Sequence, residues 1–166
     1  MPATYEKIAT TTLGSAQANI NITSIGSSYT DLRLVLSGTN ATGNQDIVFQ
    51  YNNDTSTNYS FTYLGGTGSA ANSGRGTSTS NIQMNAGAGI STTIPYMALV
   101  DIFSYAGSTF KTSLSHLSND QNGSGSVVEI VGLWRSTSAI TSIKIFSSSG
   151  NLNSGTSATL YGILKA

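Results

Sequence analysis

No cysteine occurs in the 166 residues, and histidine appears once. Disulfides, thiolate nucleophiles and thiolate metal sites are therefore excluded, and one imidazole cannot build a zinc centre alone. Charge is equally scarce. Only 8% of the residues are Asp, Glu, Lys or Arg, and seven acidic residues balance seven basic ones. Zero net charge gives no broad attraction to nucleic acid or to an anionic membrane, so neither is expected as a partner. No apolar run approaches the roughly 18 residues needed to span a bilayer. The opening residues lack a basic segment followed by an apolar one, so no secretory signal is expected.

What fills the chain instead is Ser, Thr, Asn and Gly, which make up 81 of the 166 residues. Such a composition raises the question of disorder, which usually combines few aromatics with high net charge. This chain has 38% hydrophobic residues, and thirteen of its residues are Phe or Tyr. A chain of this length can bury enough surface for one core without a covalent staple. One domain over 1–166 is expected.

The apolar residues recur with period two in short runs. Leu32, Leu34 and Leu36 share one face, as do Ile20 and Ile22, then Ile47, Phe49 and Tyr51, then Tyr59, Phe61 and Tyr63. Side chains alternate faces along a strand, so each run places one face on a core and the other in water. Later, Leu99, Phe103 and Tyr105 alternate with Ala98, Val100 and Ile102, and Phe110, Thr112, Leu114 and His116 form the next series. Residues 127–134 are apolar on both faces and read as a central strand. Ile143 and Ile145 make a short strand, and 159–164 another. Gly, Asn and Ser clusters separate the runs, as turns require. No segment shows a capped helical period. About nine to eleven short strands predict an all-β sandwich or barrel. Residues 65–80 carry no large apolar side chain and read as a long Gly/Ser/Thr loop.

Motifs for chemistry are thin. His116 follows Ser115 and precedes Asp120, but adjacency in sequence does not make a triad, and its strand neighbours Phe110 and Leu114 give it a structural role. Ser108 and Lys111 match Ser-x-x-Lys, yet a strand would turn them to opposite faces and the partner motifs are missing. Calcium could find oxygen ligands only at Asn52, Asn53 and Asp54 or at Asn119 and Asp120, which read first as turns. The glycines of 65–76 lack the Gly-Lys-Ser/Thr ending of a phosphate loop, and Arg75 is the single basic residue there. Five glycosylation-type sequons, at Asn21, Asn40, Asn53, Asn58 and Asn122, are what chance provides in this composition and say nothing of secretion. Asp101 is the one acid inside a strongly apolar strand. It is expected on a solvated face, or paired with Arg33 or Arg135 at a subunit contact. Sugar binding would use aromatic faces beside hydroxyls; Tyr59, Tyr63, Tyr105, Tyr161 and Trp134 are candidates, though strand alternation already explains the tyrosines as packing groups. No catalytic, cofactor-binding or metal residue is assigned.

Three stretches carry a resemblance. The opening at 2–15 with Ile20 to Tyr29 and Asp31 to Leu36, the segment from Tyr51 to Tyr59, and the end from Gly132 to Phe146 with Ser157 to Ile163 resemble small tailed-bacteriophage virion structural proteins. The likeness spans most of the chain except 65–80. It implies a jelly-roll-like antiparallel β-sandwich, commonly a homotrimer, and a role as capsid decoration (cement) protein, head fibre or tail-fibre piece. No catalytic residues come with it.

The combined expectation is a non-enzymatic virion protein, made in the host cytoplasm, that decorates and stabilises the outer shell by binding the major capsid protein or other virion subunits. No cofactor is expected. Segment 1–12 is expected to serve as an interface arm. The alternative is a tail-fibre or receptor-binding module contacting host glycans through tyrosines and the 65–80 loop.

Overall fold

The computed structural model describes residues 4–164, and the alternating runs appear there as twelve strands. They are β1 (Tyr5–Thr12), β2 (Asn19–Ile22), β3 (Asp31–Gly38), β4 (Ile47–Tyr51), β5 (Tyr59–Gly66) and β6 (Ala71–Thr79), followed by β7 (Ile82–Gln83), β8 (Tyr96–Phe103), β9 (Lys111–Asn119), β10 (Ser126–Trp134), β11 (Ile143–Ser147) and β12 (Ser157–Ile163). All pairings are antiparallel. One sheet runs β1-β12-β3-β8-β9-β10-β5-β6 and the other β2-β11-β4-β7. The fold is the expected all-β sandwich, with slightly more strands than the periodicity suggested.

Its chain path follows a jelly roll. Successive strands cross between β1-β12-β3-β8 and β2-β11-β4-β7, which form the two facing sheets. Two hairpins, β5–β6 and β9–β10, are inserted into that path and join edge to edge beyond β8. The eight-stranded sheet therefore extends past its four-stranded partner. Ile82 of β7 packs where a Cβ on Gly132 of β10 would sit, at 2.8 Å from that position. The extension is thus held onto the smaller sheet by side chains reaching a bare backbone.

Between the sheets lies one core. Leu32, Leu34 and Leu36 from β3, Ala98, Val100 and Ile102 from β8, and Ile143 and Ile145 from β11 are all buried in it. Under the β9–β10–β5 extension the core is aromatic. Tyr59 stacks on Trp134 with centroids 6.2 Å apart and planes at 16°, and Tyr51 lies 5.5 Å from the Trp134 ring. Such pairs add to the stabilisation given by area burial alone.

One sequence expectation is corrected here. Segment 65–80 is not a loop: it is the end of β5, a tight turn and the nine-residue β6. β6 contributes no large apolar side chain of its own, so no periodicity announced it. Its glycines instead receive rings from the neighbouring strand, Tyr63 lying across Gly74 and Phe61 across Gly76. Segment 1–12, the expected interface arm, has a defined place in the sheet. From Tyr5 onward this is an edge strand paired with β12 throughout, and Thr10–Thr159 and Thr12–Ser157 hydroxyls bond across the pair at 3.0 Å. Residues 1–3 lie outside the described residues.

The glycine covers make a test. A Cβ on Gly76 would meet the Phe61 ring at 2.5 Å. Gly76→Val is expected to destabilise the fold by about 2 kcal/mol, read from the urea midpoint at unchanged slope. Ser73→Val, on the exposed side of the same strand, should stay within about 0.5 kcal/mol.

Candidate interaction face

Alternation along β8, β9, β10 and β5 turns half of each strand away from the core. Cross-strand register then aligns the outward residues in rows. One row runs Val35, Leu99, His116, Glu129, Leu64; the next runs Arg33, Asp101, Leu114, Val131, Thr62. Met97, Phe103, Val127 and Leu133 flank them on the same face. Of the large apolar side chains left exposed, Leu64 at 63% and Val131 at 56% are the most open, and Met97, Phe103, Leu114 and Val127 join them. Together they expose on the order of 500 Å² of apolar surface, the upper range for the largest patch on a monomer.

Across β3, β8, β9, β10 and β5 the charges on this face are met within the chain, while Lys7 of β1 and Arg75 of β6 stand at the two ends of the second row. Arg33 and Asp101 sit directly opposite on β3 and β8 and form a two-pronged pair, with both N–H···O distances at 2.6 Å. The paired Asp101 carboxylate holds the Arg33 guanidinium above its ordinary pKa. The pairing that the sequence allowed at a subunit contact is thus made inside one chain. His116 and Glu129, opposite one another on β9 and β10, bond through Nδ1. What remains for a partner on β8, β9, β10 and β5 is a mainly apolar surface, bounded by Lys7 and Arg75 on the outermost strands.

Here the sequence reading was inverted. Phe110, Leu114 and His116 do share a side, but it is the outer one. The buried side of β9 carries Lys111, Ser113, Ser115, Leu117 and Asn119. Small Ser113 and Ser115, with Gly132 on β10, leave room for the large residues Ile82, Tyr51, Tyr59 and Trp134. Volume complementarity across the sandwich, rather than polarity, chose the inner side. Lys111 is buried, and its ammonium donates to the carbonyls of Gly107 and Thr109 at 2.7 and 2.5 Å. Burial lowers its pKa.

The other motifs take structural roles. Ser115 and His116 point to opposite faces of β9, so no triad forms. Ser108 is exposed in the turn that Lys111 caps. In the β4–β5 connection, Asn52 and Asn53 adopt positive φ, and Asn52 Oδ1 accepts from the N–H groups of Thr141 and Ser142. Asp54 accepts from Ser56, Asn58 and the Trp134 indole, the last at 2.7 Å. Asp120 likewise accepts from Gly123 N–H. Among the described residues no group of three His, Asp or Glu could hold a metal ion. Tyr59, Tyr105 and Trp134 are buried and Tyr63 and Tyr161 half-buried, which leaves these rings as packing groups.

The donors around Asp54, chiefly the Ser56 side chain, hold its carboxyl down at about 2 against an ordinary 3.8. A depressed folded-state value stabilises the fold above the unfolded pKa, and that contribution is lost as pH falls toward 2. Asp54→Asn should therefore cost about 1–2 kcal/mol at pH 7. Its thermal midpoint should fall less than the unaltered chain's between pH 5 and 2.5, because the titrating group is gone. Calorimetry at both pH values checks the sign.

Comparison of the chain with family models, with curated proteins and with solved structures finds no match in any of the three.

Proposed function

We propose that this chain is a non-enzymatic virion structural protein, a capsid decoration protein that binds and stabilises the outer shell of a tailed phage. Second copies of the chain cover the outer face of its large sheet in this reading. The observation that carries it is that face: apolar across four neighbouring strands, with its charged groups already paired within the chain. Its four strands, about 4.8 Å apart and about 27 Å long, offer on the order of 500 Å², the larger part of the roughly 800 Å² per partner in a stable interface, and the neighbouring strands of the sheet supply the rest. A surface without net charge also lets many copies crowd on one shell with little mutual repulsion. The sequence resemblance supplies the virion context and the expectation of a homotrimer. Shell stabilisation then follows by mass action, since a ligand of the assembled shell alone opposes its disassembly.

Antibody raised against the purified chain tests this reading on virions from the phage that encodes it, viewed by electron microscopy. Regular labelling over the head is the expected result. Label confined to the tail tip would overturn it in favour of the receptor-binding alternative, and unlabelled particles would overturn a virion role of either kind.

A further inference from the structure

Each sheet ends in edge strands, and edges with unpaired N–H and C=O groups invite another strand unless something blunts them. Three of the four edges here are blunted. β2 has four residues and β7 two. β1 carries Glu6 and Lys7 and a register shift between Lys7 and Ala9. β6 differs from all of these. It is nine residues long, has one charged side chain and no proline, and its single irregularity lies at Ser78 near its end. Among the described residues, β6 pairs only with β5, and no side chain bonds the backbone of Ala71 to Thr77.

We propose that β6 is a docking edge for an extended, acidic segment of a different polypeptide, which adds as a ninth strand. This goes beyond the assembly reading: the ladder uses the rim of the sheet, and Arg75 stands on the outer face at that rim, past Thr62 and Val131 in their row. The backbone from Ala71 to Thr77 would supply the ladder, every second residue facing the incoming strand. Side chains that the added strand turns inward would lie beside the Phe61 and Tyr63 rings, which already cover Gly76 and Gly74. Those positions call for apolar residues.

Outward-facing positions meet Arg75. It is exposed, and among the described residues it makes no hydrogen bond or ion pair. It borders a groove of about 440 Å³ lined also by Ser60, Thr62, Thr77, Val131 and Leu133. A carboxylate is the natural complement, because guanidinium and carboxylate form paired hydrogen bonds. All seven of this chain's acidic residues already accept a hydrogen bond within the chain. A second copy's β6 would bring a second Arg75 instead, so the occupant is a different chain.

The probe is a fluorescein-labelled ten-residue peptide of alternating valine and threonine with one central aspartate, titrated with the full chain by anisotropy. Amide exchange is followed at 71–77. Saturable binding is expected, with protection of alternate amides in β6. Peptide N-methylated at alternate residues should bind at least 10-fold more weakly, and a lysine in place of the aspartate should weaken binding similarly. Arg75→Glu should reverse that last preference. Undetectable binding, equal binding of the N-methylated peptide, or protection confined to other strands would overturn the proposal. So would β6 protection that rises with protein concentration before any peptide is added, which would make a second copy the occupant. Repeating the titration with Met97→Lys/Leu114→Lys, neither of which lines that groove, keeps the two sites apart: peptide binding survives there even where self-association is lost.

Discussion

Trp134→Ala is expected to remove about 3–5 kcal/mol of stability, the largest loss from any single truncation in this molecule. The side chain is 2% exposed, stacks on Tyr59, packs against Tyr51 and donates its indole N–H to Asp54. It is therefore the joint between the inserted hairpins, the smaller sheet and the β4–β5 connection. For a chain of this length the loss corresponds to a fall in thermal midpoint of about 10 °C. Trp134→Phe keeps a ring in the stack and gives up the hydrogen bond, so about 1–2 kcal/mol should go. Denaturant unfolding of both variants checks the ratio. Equal losses would show that the indole N–H, and not the stack, carries the joint.

The second large effect concerns association instead of folding. Leu114→Lys combined with Val131→Lys should leave the sandwich intact, because both side chains are at least 41% exposed in the isolated chain. At an interface between copies, the same two ammonium groups would be buried without partners, at a cost of several kcal/mol. Self-association should weaken by at least about 100-fold. Sedimentation velocity of the two proteins at tens of micromolar reads this directly, with circular dichroism as the control for folding. A wild-type chain that sediments as a monomer, or a variant that remains oligomeric, would remove the outer face as the contact between copies.

How far the sequence was readable differs between parts of the molecule. β3 was plain: three leucines at period two can only be a strand with one buried side. β6 was hidden, because the signal for a strand is its own apolar side chains, and the groups that cover Gly74 and Gly76 belong to β5. For β9 the alternation was visible and its direction was not. A Leu and a Phe on one side and two serines on the other normally place the Leu inward, yet here Tyr51 and Ile82 of the facing sheet, with Tyr59 and Trp134 of the same sheet, fill the inner space and the serines lie there. The exposed face could have been suspected from β10, where Val127, Val131 and Leu133 alternate with Val128, Ile130 and Trp134. A strand that is apolar on both sides needs two covers, and the four-stranded sheet supplies only one.

From the sequence alone came the all-β class, the single core, the strand periodicity and the absence of thiol chemistry. These rest on local properties: side-chain alternation, turn residues and the donor types a chain does or does not possess. Which side of each outer strand meets water, and which sheet edge stands open, emerged only from the tertiary structure. Both depend on volumes and pairings contributed by residues far away in the chain, and no local pattern of one strand records what its neighbour across the sandwich needs.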